Sequence, residues 1–181
     1  MERLGCILYH PYAKDLLASA SYDRTIKLWN VETREAVTTL KGFTDVIFSM
    51  SWSPCGTRLA TICKDGLIRV YEPQRSDLPL VEGKCGPGSA SKAARIEWCL
   101  NGTSLLISGF GKGNLRQIYL FDSETLNLLQ TEDINSSPSL LIPIYDPDIS
   151  VLYLYAKGEE NLYLYEIQPE EPYFQVDNET F

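Results

Sequence analysis

Two short apolar segments joined by a tight polar turn recur four times along this chain, and no other feature limits its fold as strongly. The first copy runs Leu17-Ala18-Ser19-Ala20-Ser21, then Tyr22-Asp23-Arg24, then Thr25-Ile26-Lys27-Leu28-Trp29-Asn30. The second runs from Leu59 to Glu72 around Lys64-Asp65-Gly66, the third from Leu105 to Asp122, and the fourth from Val151 to Glu166. Their closing aromatics, Trp29, Tyr71, Phe121 and Tyr165, lie 42, 50 and 44 residues apart. An apolar strand precedes each pair: Cys6 to Tyr9, Val46 to Trp52, Arg95 to Cys99 and Leu140 to Tyr145. A Pro or Gly turn follows each of these strands, at His10-Pro11, Ser53-Pro54-Cys55-Gly56, Leu100-Asn101-Gly102 and Asp146-Pro147-Asp148. A weaker fourth strand follows each closing aromatic, as at Ala36 to Leu40 and Leu128 to Glu132. A unit of this length cannot bury an apolar face alone and must stack on its neighbours. Four antiparallel strands per unit at this period predict an all-β chain of four propeller blades. The expected blades are 1–41, 42–92, 93–134 and 135–176, with 177–181 a tail. An insertion between 109 and 116 accounts for the long third interval.

Composition narrows the class further. Hydrophobic residues make up 44% and charged residues 22%, the balance of a soluble globular chain. The apolar stretch at Leu140 to Ile144 is short and broken by Pro143, so no membrane insertion is expected. Met1-Glu2-Arg3-Leu4 lacks the basic start and apolar run of a signal peptide, which places the chain in the cytoplasm. The sequons at Asn101, Asn135 and Asn178 then read as accidental. Cys6, Cys55, Cys63, Cys85 and Cys99 are odd in number and not paired at metal-ligand spacing, so free thiols are expected. Residues 1–100 carry a net charge of +2 and residues 101–181 a net charge of −10. Nucleic-acid binding requires a basic face, and none is expected here.

Segments such as Ser21-Tyr22-Asp23-Arg24-Thr25-Ile26-Lys27-Leu28-Trp29-Asn30 and Trp52-Ser53-Pro54-Cys55-Gly56 resemble WD40 repeats. Asp23, Trp29, Trp52, Asp65, Tyr71, Trp98, Phe121 and Tyr165 stand at the repeat's structural positions. Gly42-Phe43 replaces the usual Gly-His pair, and His10 is the single histidine of the chain, so the family's His–Ser–Asp–Trp brace cannot form as usual. Four further stretches are similar to the coronin family, and to its tandem-propeller members most of all. They are Thr61 to Gln74, Leu106 to Gly111, Tyr145-Asp146-Pro147-Asp148 and Ala156 to Glu166. The resemblance implies a seven-bladed ring, so this chain is expected to be a fragment or short isoform supplying four of its blades. It further implies partners among actin filaments and components of Golgi-to-endosome traffic or of ubiquitin ligases, with the protein peripheral on Golgi or vesicle membranes. An arc leaves two blade faces uncovered, and the isolated chain is expected to pair or aggregate.

Catalytic chemistry finds little footing. Gly109-Phe110-Gly111-Lys112-Gly113 suggests a phosphate loop, but no helix and no Ser or Thr follows the lysine, so an extended hairpin turn is expected. One histidine cannot build a multi-histidine metal site, and His10 sits at a turn position where a structural role is expected. Glu159-Glu160 and Glu170-Glu171 are adjacent pairs that diverge on a turn or strand and read as solvated. Asp23 and Asp65 occupy equivalent turns, where a side-chain cap on the turn's own N–H groups is expected. The stretch Ser76 to Lys92, containing Cys85-Gly86-Pro87-Gly88-Ser89, reads as the longest irregular loop. No catalytic residue and no cofactor or metal is expected. The functional expectation is a non-enzymatic scaffold for actin organisation and vesicle traffic. The alternatives are a ubiquitin-ligase adaptor and a short isoform without its own function. Arg58, Lys64, Arg69 and Arg75 make the second blade the most basic and are the expected contacts to acidic actin.

Overall fold

Each repeat folds as one four-stranded antiparallel sheet in which consecutive strands are neighbours. The computed structural model describes residues 3–86 and 92–176. The tail at 177–181, the sequon at Asn178 and Pro87-Gly88-Ser89 of the expected loop lie outside the described residues. The first sheet holds β1 (Leu4–Tyr9), β2 (Leu16–Ser21), β3 (Ile26–Asn30) and β4 (Glu35–Leu40). The second holds β5 (Ile47–Trp52), β6 (Leu59–Cys63), β7 (Leu67–Tyr71) and β8 (Val81–Lys84). The third holds β9 (Arg95–Cys99), β10 (Ser104–Phe110), β11 (Leu115–Asp122) and β12 (Leu128–Ser136). The fourth holds β13 (Leu141–Asp146), β14 (Val151–Ala156), β15 (Leu162–Ile167) and β16 (Phe174–Val176). The first strands of successive sheets, β1, β5, β9 and β13, touch one another and form the inner wall of the arc.

The core lies between sheets rather than within them. Alternate residues of a strand point to opposite faces. In the second sheet Leu59, Cys63 and Tyr71 face the first sheet, whereas Ala60, Ile62, Ile68 and Val70 face the third. Leu106, Ile118 and Leu120 of the third sheet pack on Leu152, Leu154 and Tyr165 of the fourth. Sheets covered on both sides are largely apolar on both faces, and β6 and β10 are buried along their whole length, with Thr61 and Ser108 hydrogen-bonded to backbone carbonyls.

Three expectations change here. Ser76 to Lys92 is not a single irregular loop, because Val81–Lys84 pairs with β7 and forms the outer edge of its sheet. The insertion in the third repeat lengthens strands rather than the turn. Gly109 and Phe110 pair with Gln117 and Arg116, leaving only Gly111 and the single 3-10 turn Lys112–Asn114 between β10 and β11. Strand β12 likewise runs on to Ser136, past 134, because Leu115 of the lengthened β11 offers it a partner.

His10 ties the first sheet to the second. Its Nδ1 accepts the backbone N–H groups of Tyr12 (3.1 Å) and Ala13 (2.8 Å), so Nε2 carries the proton and donates to the Gly56 carbonyl at 2.8 Å. Gly56 has φ +76°, and a Cβ there would stand 2.5 Å from His10 Cε1. Both the turn and the close approach require glycine.

Candidate functional site

Two kinds of polar residue mark the end of the arc where β2 turns into β3 and its equivalents do the same: buried braces and exposed cations. In the first turn Asp23 Oδ1 accepts from Thr25 N (2.9 Å) and Thr25 Oγ1 (2.7 Å), and hydrogen bonding to Thr25 is the main influence that lowers its pKa. Trp29 Nε1 donates to Ser19 Oγ at 2.8 Å. A remnant of the usual brace therefore survives in the first sheet without a histidine.

The second sheet replaces that brace with a buried arginine. Arg69, 1% exposed, donates from Nη2 to Asp65 Oδ2 at 2.8 Å, from Nη1 to Asp65 Oδ1 at 3.2 Å, and from Nε to Glu82 Oε2 at 2.6 Å. Thr44 Oγ1 donates to the same Asp65 Oδ2, and Tyr71 OH donates to the Lys41 carbonyl at 2.7 Å. Burial opposes ionisation of Asp65, but hydrogen bonds from Arg69 and Thr44 and the Arg69 charge outweigh it, holding the carboxyl at about 2. Asp65 Oδ1 also accepts the Leu67 N–H at 3.1 Å, which is the turn cap expected at this position. A second buried guanidinium, Arg116, spans the third and fourth sheets. It donates to Asn135 Oδ1 (2.6 Å), Glu159 Oε2 (2.9 Å) and the Ser139 carbonyl (3.3 Å). Glu159 is thus not a merely solvated turn residue, because a buried cation needs an anion beside it.

The four basic residues expected to contact a partner are not one patch. Arg69 is withdrawn into the sheet by Asp65 and Glu82. Arg58 lies 3.5 Å from Glu124, and Arg75 lies 3.0 Å from Glu72, both at the end of the arc that carries the β5–β6 and β7–β8 connections. Lys64 projects from the β6–β7 turn at the opposite end. There it has company that the sequence reading passed over. The turns β2–β3, β6–β7, β10–β11 and β14–β15 each present one exposed cation, Arg24, Lys64, Lys112 and Lys157. None of the four is ion-paired among the described residues. The turns are also laced together, since Arg24 Nη1 donates to the Thr44 carbonyl and Thr44 in turn bonds Asp65. Asp23 and Glu160 share this end, but Asp23 is turned in on Thr25. Exposed turns at the far end carry Glu124, Asp148, Glu170 and Glu171 together with Lys14, Arg34 and Arg75. Aligning the repeats turn by turn, rather than counting charges per blade, would have found the cationic row.

No three His, Cys, Asp or Glu side chains among the described residues converge as metal ligands. No described helix is long and apolar enough to cross a membrane. A model of the WD domain, G-beta repeat, matches residues 5–30 and 34–72. Coronin-7 of Mus musculus is 44% identical over 96% of this chain, and Coronin-2A of Homo sapiens is 36% identical over 95%. The chain spans 19% of the first of these and 33% of the second. The solved WD40 domain of Toxoplasma gondii coronin superposes with a TM-score of 0.85 at 26% identity, covering 96% of this chain and 44% of that one.

Proposed function

The chain belongs with the WD40-repeat propellers of the coronin family, and from that premise we propose a non-enzymatic interaction scaffold whose cationic turn row docks on actin filaments. The observation that carries the reading is the row itself: Arg24, Lys64, Lys112 and Lys157, one per blade, exposed and free of ion pairs among the described residues. A rigid stack of sheets holds the four charges in order, and loops on such a scaffold are where binding residues concentrate. An acidic filament surface would be attracted to this row, whereas the far end mixes Lys14, Arg34 and Arg75 with Glu124, Asp148, Glu170 and Glu171. Work in Golgi-to-endosome traffic and the ubiquitin-ligase adaptor role are proposals that the family resemblance alone supports. Co-purification with a cullin complex tests the adaptor role.

Charge reversal of Arg24, Lys64, Lys112 and Lys157 together is expected to weaken cosedimentation with filamentous actin by about tenfold or more and to flatten its salt dependence. Reversal of Arg58 and Arg75 at the opposite end is expected to leave it unchanged. Equal binding by the fourfold variant and the native chain would overturn the docking face.

A further inference from the structure

Each inner strand carries an aromatic residue at or one residue before its end. Tyr9, Trp52, Trp98 and Tyr145 occupy equivalent positions, paired across the sheet with Leu17, Leu59, Leu105 and Leu152. All four line a concavity of about 350 Å³ on the inner wall of the arc, at the end away from the cationic row. Glu97 lines it as well. The positions equivalent to Glu97 hold Leu8, Ser51 and Ile144, so the carboxylate is peculiar to the third sheet.

Glu97 Oε1 accepts the Ser51 hydroxyl at 3.0 Å, and no Lys or Arg among the described residues pairs with the carboxylate. Arg95, two residues earlier on β9, is turned to the carbonyls of Phe48 (3.3 Å) and Ala94 (3.1 Å). Burial pushes the Glu97 carboxyl up from its ordinary value. The two indoles also differ. Trp98 Nε1 donates to the Ser51 carbonyl at 2.9 Å, whereas Trp52, 8% exposed, has no acceptor for its N–H among the described residues. A desolvated anion without a counter-charge and a buried donor without an acceptor therefore belong to two residues that wall the same concavity. Each is costly left alone.

We infer that this concavity receives a basic side chain, arginine or lysine, of a peptide segment from a partner protein, its head group on Glu97 among the aromatic rings. A cation beside indole and phenol rings is attracted by their quadrupoles, and more strongly where water is excluded. A basic side chain is favoured over a small free cation because its aliphatic stem packs on the rings of Tyr9, Trp52, Trp98 and Tyr145 while its head group meets Glu97. The site is separate from the cationic row and stands or falls independently of actin docking.

The chain has three tryptophans, so 5-fluorotryptophan gives three 19F resonances, each assigned by a Trp→Phe substitution and countable even in a small oligomer. The probes are acetyl-Gly-Arg-Gly-amide and acetyl-Gly-Lys-Gly-amide, with the citrulline tripeptide as neutral isostere and tetramethylammonium as free cation. At least one basic tripeptide is expected to shift Trp52 and Trp98 saturably and leave Trp29 in place. Citrulline is expected to bind at least about tenfold more weakly, and Glu97→Gln to weaken the basic tripeptide similarly. The citrulline comparison carries the test without any substitution. Absence of saturable shifts, equal binding of citrulline, movement of Trp29 with the others, or unaltered binding by Glu97→Gln would overturn the site. Saturation by tetramethylammonium but by neither basic tripeptide would overturn the peptide assignment.

Discussion

Replacing Arg69 by alanine is expected to lower the stability of the folded chain by about 3–5 kcal/mol, the usual result of removing one partner from a buried ion pair. The reason is the partner left behind. Asp65 is almost fully enclosed and loses three of its stabilising influences at once: two hydrogen bonds and the adjacent charge. Glu82 is nearly half exposed and regains water, so it adds little to the loss. Against a typical net stability of about 5–15 kcal/mol, the effect is large enough to shift the urea midpoint far or to abolish folding at 37 °C. The double variant Arg69→Met with Asp65→Asn is expected to be more stable than Arg69→Ala, because it removes the cation and the anion together. If Arg69→Ala costs less than about 1 kcal/mol, the guanidinium is not the brace described.

The same pair sets an acid dependence. The folded Asp65 carboxyl titrates at about 2, whereas an unfolded aspartate titrates near 3.9. As pH falls, the unfolded chain takes up this proton first. The contribution is therefore complete above about pH 4, declines between about 4 and 2, and is gone below that. The stability difference between the native chain and Asp65→Asn is expected to shrink over that window. A difference constant from pH 5 to pH 2 would show that Asp65 is not held ionised.

The braces also show where the sequence was legible. The repeat was visible because backbone period and apolar faces are local properties: turns at Pro or Gly, strands at Val, Ile, Leu and aromatics, spaced as the sheets require. Arg69 was not, because a charged side chain is ordinarily outside. Here only a contact with Asp65 across the turn, closed by Glu82 on the outer strand, makes burial tolerable. Arg116 is harder still, since Glu159 lies in the next repeat and no spacing rule links them. The glycine-rich stretch at 109–113 misled in the other direction. Glycine signalled a long turn, but Gly109 and Phe110 pair with Gln117 and Arg116 and carry both strands on instead. The aromatic row at the inner-strand ends was half marked, by Trp52 and Trp98, while the carboxylate beside it looked like any other charge until the register placed it on the inner wall.

The second large effect concerns the outermost faces. Expressed alone, the 181-residue chain is expected to self-associate at micromolar concentration. In the first sheet Ile7, Tyr9, Leu17 and Trp29 point away from the second, and Ile7 is 56% exposed. In the fourth sheet Ile142, Tyr155 and Leu162 form one cross-strand row and Ile144, Tyr153 and Leu164 another, both pointing away from the third, with Ile144 54% exposed. The two interior sheets bury equivalent residues, so the same composition that stabilises the stack leaves its ends apolar. Covering roughly 400 Å² of such surface would contribute about 10 kcal/mol before the costs of association, enough to hold two chains together. The two faces differ, so a contact between them is head to tail and can propagate beyond a dimer. Sedimentation velocity is expected to show the mean mass rising with concentration, and Ile144→Lys with Leu162→Lys to return it toward the monomer while leaving the buried clusters intact. A monomer at every concentration, melting in one sharp transition, would mean that these faces are tolerated in water and that the stack of four sheets suffices without a partner.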